Sequence, residues 1–199
     1  MSSALRIVAI SAIIGLAPAL PAVAALKPGQ PAPDFTLKAS HAGHQSTFSL
    51  SEALKKGPVV LYFYPAAYTP GCNVEAHTFA ENKEKFDAAG ATIIGVSQDS
   101  IKRLNDFSSD PNYCAGKFTV ASDPHGKITK AYDLKVRELE PGSKDTRGIE
   151  LDHAFTERTT FVITSDHKIA ATFSSADDGI KPADHVEKSL AVVEHLAKK

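Results

Sequence analysis

The sequence predicts an α/β layered domain, on three observations. Short apolar runs alternate with helical patterns from Val59 to Tyr132. A hairpin-like pair follows at Thr160–Ile163 and Lys168–Phe173. An amphipathic stretch marked by Val186, Leu190, Val193 and Leu196 then ends the pattern. Strands that alternate with helices bury a sheet between helical layers. Element order alone leaves the topology of that sheet open.

Each element has its own local reason. Phe35-Thr36-Leu37-Lys38 and Thr47-Phe48-Ser49-Leu50 alternate apolar and polar residues around a His/Gly loop, which predicts an N-terminal β-hairpin. Val59 to Tyr64 is a six-residue apolar run ended by Pro65 and reads as an interior strand. Thr69 suits an N-cap and Pro70 a first helical position, so Cys72 becomes the third residue of a helix running to Ala89 and ended by Gly90. Ala76, Phe79, Lys83 and Phe86 fall on one stripe of it. Ala91 to Val96 reads as a second buried strand, Ser100 to Phe107 as a helix and Phe118 to Ala121 as a short strand. Lys127 to Tyr132 reads as a short helix after an Asp-Pro-His-Gly turn. Leu134 to Glu157 carries Glu138, Glu140, Lys144, Asp145, Arg147 and Glu150 and is broken by Pro141-Gly142, which predicts a long exposed loop.

Residues 1–24 hold no acid and a single base, Arg6, and Ala22-Val23-Ala24 has the small-x-small form of a cleavage site. The apolar stretch Ile7 to Leu20 is short of the ~20 residues that span a bilayer. The segment reads as a secretory signal peptide cut after Ala24 or Ala25, leaving residues 25–199 as a single exported domain, periplasmic or secreted, with no membrane span. Without Arg6, 21 basic residues face 23 acidic ones, and no basic block exceeds two residues. That balance argues against a nucleic-acid partner. The two cysteines, Cys72 and Cys114, allow one disulfide at most, and an oxidising compartment favours it.

Cys72 carries the chemistry. At a helix start, unpaired N–H groups and the positive end of the macrodipole favour an anion, and the thiolate is the reactive form of cysteine. A buried structural thiol is the alternative; placement in the first turn argues for the reactive one. A lowered pKa is not enough for fast catalysis, however. Moving a thiol from ~8.5 to ~6 raises the thiolate fraction at pH 7 about 30-fold. With a Brønsted coefficient of ~0.45, intrinsic nucleophilicity falls roughly 13-fold, leaving about a 2-fold gain. A fast reaction of this thiolate with an electrophile therefore needs groups that stabilise the charge moving onto the leaving atom.

At Pro65-Ala66-Ala67-Tyr68-Thr69-Pro70-Gly71-Cys72 the chain resembles the peroxiredoxins, whose signature is P-x-x-x-T-x-x-C. Tyr62-Phe63-Tyr64-Pro65, Glu75-Ala76, Gly95 to Ser100, Ala121 to Lys127 and Arg158 to Ile163 are similar to the bacterioferritin comigratory protein (peroxiredoxin Q) subfamily. The resemblance spans Gly29 to Leu196. It implies a thioredoxin-like fold, a central mixed sheet flanked by helices, and a thiol peroxidase acting on hydrogen peroxide and organic hydroperoxides. It implies no haem, flavin or metal, a thioredoxin-like or small-thiol reductant, and a monomer or weak dimer. It makes Cys72 the peroxidatic residue and gives Thr69 and Arg158 the departing oxygen, Thr69 also capping the helix. Pro65 shields Cys72 from water. Glu75, one helical turn after Cys72, holds Arg158 in a bidentate pair.

The chain departs from the family where many members carry a second cysteine, five residues after the first. His77 stands there, and about 140° of helical rotation turns it away from Cys72, so it reads as a surface histidine. Another subset of the family places its resolving cysteine near the following helix. On that resemblance Cys114, in a loop-like setting after Ser108-Ser109-Asp110-Pro111-Asn112, resolves Cys72 as an intramolecular disulfide. A spectator Cys114 in a one-cysteine peroxidase recycled by an external thiol stays open. A disulfide reductase would need a C-x-x-C, which is missing. A copper or zinc carrier using Cys72 and His77 would need a C-x-x-x-C and clustered histidines; the eight histidines are scattered.

Overall fold

The structure, a computed structural model, describes residues 24–198. Up to residue 23, the segment read as a signal peptide lies outside the described residues. The hairpin β1 (Thr36–His41) and β2 (His44–Ser49) forms as expected. Leu50 does not end its second strand, however. It opens α1 (Leu50–Leu54), because Ser49 accepts the Glu52 N–H and Leu50 is wholly buried. Then β3 (Val59–Phe63), α2 (Pro70–Ala88), β4 (Thr92–Ser97), α3 (Ile101–Ser109), β5 (Thr119–Ser122) and α4 (Lys127–Ala131) alternate as predicted.

Residues 134–157 depart from the expected exposed loop. They form a ribbon, β6 (Val136–Arg137) against β7 (Phe155–Thr156), and a turn that buries Leu134, Asp145 and Leu151. The charges responsible for the loop reading are in part paired: Asp145 lies between Arg103 and Arg147. β8 (Thr159–Ile163), β9 (Ile169–Ser174), a single-turn α5 (Ser175–Asp178) and α6 (Pro182–Leu196) complete the chain.

The seven-stranded sheet runs β2-β1-β5-β4-β3-β8-β9. β3, β4 and β5 are parallel to one another and the outer pairings are antiparallel. Period-two alternation divides β3 between two cores. Val60 and Tyr62 join Phe79, Phe86, Val186 and Val193 beneath α2 and α6. Val59, Leu61 and Phe63 join Leu54, Ile128 and Tyr132 beneath α1 and α4. Phe79 and Phe86 of the predicted α2 stripe are buried, whereas Lys83 turns out to pair with Asp87. The chain before β1 covers the free edge of β9. Gly29 N–H donates to Ile169 O at 2.8 Å, Ile169 N–H to Gln30 O at 3.0 Å, and Ala32 N–H to His167 O at 2.8 Å. An otherwise open edge is thereby satisfied. The loop after β3 and the end of β4 meet at the carboxyl edge of the parallel strands, the usual place for a site in such a sheet.

Candidate active site

The loop Tyr64–Thr69 delivers the chain from β3 into α2, with Cys72 third in the helix and 1% exposed. Thr69 takes the extended N-cap conformation, but its hydroxyl does not cap the helix as expected. It turns back and donates to Ala66 O at 2.8 Å. Burial raises the Cys72 thiol above its ordinary pKa, against the pull of the Arg158 charge, the Thr69 hydroxyl and the Ala66 backbone. The expected lowering is therefore not realised, because desolvation penalises the thiolate more than these neighbours favour it.

Arg158, immediately before β8, crosses to the start of α2. Its Nη2 donates to Cys72 Sγ at 3.2 Å and its Nη1 to Glu75 Oε2. The structure thus brings the expected Cys72, Thr69, Glu75 and Arg158 to one place. The Arg158–Glu75 pair differs from the expected bidentate form: only Oε2 is engaged, and the buried Oε1 has no partner among the described residues. Burial pushes the Glu75 carboxyl up to about 7, with Arg158 opposing. Pro65 is half-buried. With Arg158, Val136, Phe155 and Ala176 it lines a groove of about 420 Å³.

Other residues hold this loop without having been evident from the sequence. Asp99 Oδ2 accepts from Ala67 N–H and Ser97 Oγ, both at 2.7 Å. Its Oδ1 lies 2.9 Å from both His153 Nε2 and Arg103 Nε. Arg103 Nη2 donates to Ala67 O at 2.9 Å. For His153, burial works downward, but the Asp99 carboxylate and the Ala154 carbonyl bring its pKa up overall. Tyr68 O accepts from Thr146 N–H and Thr146 Oγ1 at 2.9 and 2.8 Å. Tyr68 itself has φ +64°, a left-handed conformation that costs a bulky residue about 1 kcal/mol or more. His185 of α6 is also wholly buried, with Thr160 Oγ1 at 3.0 Å and Ser175 Oγ at 2.9 Å. Burial, with Arg158 adding to it, lowers its pKa to about 4. Asp99 had a usable signal, its place in the Gly95 to Ser100 block at the end of a predicted buried strand. The others act through distant pairings that no local pattern contains.

Cys114 lies in a turn between α3 and β5, as its loop-like setting suggested, but it is not exposed. It is wholly buried, in the same apolar cluster as Cys72, and both thiols are free. Ser109, Pro111 and Asn112 before it are exposed, but Ser108 is wholly buried against Ser40 Oγ at 2.9 Å, and Phe107 and Tyr113, with ring centroids 5.5 Å apart, turn the chain inward. Burial, reinforced by Asp110, raises its pKa well above the ordinary value. His77 is exposed, as expected, with Nδ1 3.0 Å from Asn112 O and Nε2 3.3 Å from Glu81 Oε1. No described helix is long and apolar enough to cross a membrane.

Residues 28–172 match the AhpC/TSA family. The chain is 33% identical to peroxiredoxin Bcp of Bacillus subtilis over 171 residues, 86% of this chain and 97% of the relative. It is 32% identical to peroxiredoxin Bcp of Xanthomonas campestris, covering 82% and 84%. The solved peroxidoxin BcpB of Mycobacterium tuberculosis superposes with a TM-score of 0.70 at 29% identity, covering 85% of this chain and 97% of that one. Xanthomonas campestris peroxiredoxin Q gives 0.62 at 29%, covering 81% and 91%. A mixed seven-stranded sheet and this sequence kinship agree, and the chain belongs to the AhpC/TSA family as a peroxiredoxin, a thiol peroxidase of the Bcp and peroxiredoxin Q type.

Proposed function

We propose that this peroxiredoxin is an exported enzyme that reduces hydrogen peroxide and organic hydroperoxides at Cys72 and resolves the product through an intramolecular Cys72–Cys114 disulfide. The observation that carries the reading is the Arg158 guanidinium, 3.2 Å from Cys72 Sγ at the start of α2. The Cys72 thiolate attacks one oxygen of R–O–O–H. The S–O bond forms, the O–O bond breaks, and the second oxygen leaves with the electron pair and takes a proton to become R–OH. Cys72 is left as the sulfenic acid. Charge passes from sulfur to departing oxygen along this path, so donors fixed beside the sulfur serve the transition state. Arg158 supplies a fixed charge. Thr69 supplies a hydroxyl that must exchange its Ala66 acceptor for the peroxide. Pro65 keeps water from the sulfur, and Glu75 holds Arg158.

Cys114 as thiolate then attacks the Cys72 sulfur. An S–S bond forms, the S–O bond breaks and the oxygen departs as water. Both sulfurs are buried and unbonded; where they start beyond disulfide distance, the start of α2 must unwind locally before they meet in disulfide geometry. A thioredoxin-like dithiol or a small thiol restores the pair. Burial of Cys114 also favours a second reading, a one-cysteine cycle in which the external thiol attacks Cys72 directly.

Mass spectrometry separates the two. One equivalent of peroxide should lower the intact mass by two hydrogens and link Cys72 to Cys114 within one chain, whereas Cys114→Ser should accumulate sulfenic and then sulfinic acid. A free Cys114 beside an oxidised Cys72, or a bond between chains, would sink the two-cysteine reading. Export is supported by the acid-free, apolar residues 1–24 and their Ala-Val-Ala end. The exported chain should begin at Ala25 or Leu26 and sediment as a monomer or weak dimer. Met1 or Ser2 at the N-terminus of a membrane-bound protein would overturn export.

A further inference from the structure

Tyr68, four residues before Cys72 and packed against Tyr113 beside Cys114, holds a conformation it would not choose alone. Its φ of +64° belongs to the left-handed region, where a side chain of this size is rare. It is held from two sides. On one, Thr146 gives both N–H and Oγ1 to the Tyr68 carbonyl, and the Arg147 guanidinium lies 3.2 Å from the centre of the Tyr68 ring. On the other, the ring meets Phe107 and Tyr113 edge-on, at centroid distances of 5.0 and 5.5 Å, and Tyr113 is next to Cys114.

The side carrying Thr146 and Arg147 is itself anchored. Arg147 Nε and Nη2 donate to Asp145 Oδ2 at 3.1 and 2.8 Å, and Arg103 of α3 donates to the same oxygen at 2.7 Å and to Ala67 O at 2.9 Å. Asn73, the residue after Cys72, reaches Thr146 Oγ1 at 3.5 Å. The turn 145–147 thus fastens the residues leading to Cys72 without touching the sulfur.

We propose that Tyr68 is a latch between the Cys72 loop and the Cys114 turn, and that Thr146 and Arg147 are the positioning residues that hold it closed. Closed, it keeps Ala66, Thr69 and Cys72 in register for the peroxide. Open, Tyr68 returns to an ordinary φ and leaves the aromatic pair beside Cys114, which frees both cysteine segments together. The latch is a property of the reduced fold. Its consequence, control over whether Cys72 sulfenic acid becomes a disulfide or a sulfinic acid, rests on the reading of Cys114 as the resolving thiol.

The test uses Cys114 itself as the reporter of opening. In a Cys72→Ser protein, alkylation of Cys114 by iodoacetamide requires the latch to open. Adding Arg147→Ala should speed that alkylation about tenfold, the loss of one stacked cation contact. Arg147→Lys, which keeps charge without the planar fork, should fall between, and Thr146→Val should give a several-fold increase. The increase should be nearly independent of urea below the unfolding transition, as local opening exposes little surface. In the protein with both cysteines, Arg147→Ala should react more slowly with one equivalent of peroxide yet form less sulfinic acid in excess peroxide. An unchanged alkylation rate, or one that rises only with the full urea slope of global unfolding, overturns the latch. Faster alkylation with no Cys72–Cys114 bond in any of the proteins upholds the latch and removes Cys114 from the catalytic cycle.

Discussion

Arg158 owes its approach to Cys72 to a residue without a side chain. A Cβ at Gly71 would sit 3.1 Å from Arg158 Nη2 and 3.3 Å from Pro182 Cγ, so an added methyl pushes the guanidinium away from the sulfur. Alanine suits a helix, and Gly71→Ala should fold with undiminished stability. Its rate constant with peroxide in stopped flow should nevertheless fall about tenfold, since displacements well under 1 Å already weaken a placed charge. An unaltered rate would mean that Arg158 tolerates the crowding. Arg158→Ala should lose more, and Arg158→Lys should recover only part, having no planar fork with which to reach both Cys72 and Glu75. At this scale the sequence was informative where one short motif sets the geometry: the placement of Cys72 at a helix start was legible. The need for Gly71 was not, because its neighbour is Arg158, far along the chain. The interior position of Cys114 was hidden for a similar reason. Polar Ser109 to Asn112 describe the outside of a turn whose inside is aromatic.

α2 and α6 each place a buried titratable side chain beside Arg158, and the two respond to acid in opposite ways. His185 titrates at about 4 in the fold, below the ~6.5 of an exposed imidazole. As pH falls from 6.5 to 4 the unfolded chain takes up a proton first, and stability drops by about 3 kcal/mol. Glu75 titrates at about 7, above its ordinary 4.5. As pH falls through that window the folded chain takes up its proton first, and stability rises by a similar amount. Wild type should therefore show a shallow profile between pH 7 and 4.5. Urea titrations should show Glu75→Gln steepening toward acid and His185→Gln sloping the other way; identical slopes in all three proteins would deny these buried groups their part. The long helices and interior strands were readable from apolar pattern and caps, as β3 and the Phe79–Phe86 stripe show, whereas the short α1 and α5 were not. The 134–157 excursion was not, because sequence displays the charges of Asp145 and Arg147 without showing that they meet.

Across the whole molecule the sheet has two unequal edges. β2 ends one side with His44, Gln45, Ser46 and Thr47 exposed, a polar edge that discourages a further strand. β9 ends the other and relies on residues 29–32 for three backbone bonds. A chain beginning at Ala25 should melt at the temperature of the full chain. One beginning at Pro33 should lose about 3 kcal/mol, or roughly 10 °C, and should self-associate through the bared edge. Equal melting temperatures and a monomeric truncated chain would show the segment to be dispensable. The same closed architecture sets which reagents the enzyme notices. A cysteine 1% exposed, its thiol raised in pKa by its own burial, is a poor target for alkylating agents, quinones and soft metal ions, all of which need open access to a thiolate. In the proposed reaction a hydroperoxide differs in bringing an oxyanion that Arg158 is to receive as it leaves. On the proposed reaction, seclusion that lowers the general nucleophilicity of Cys72 would give the enzyme chemical discrimination, and a peroxidase working among many electrophiles would keep its thiol for the one class it can turn over.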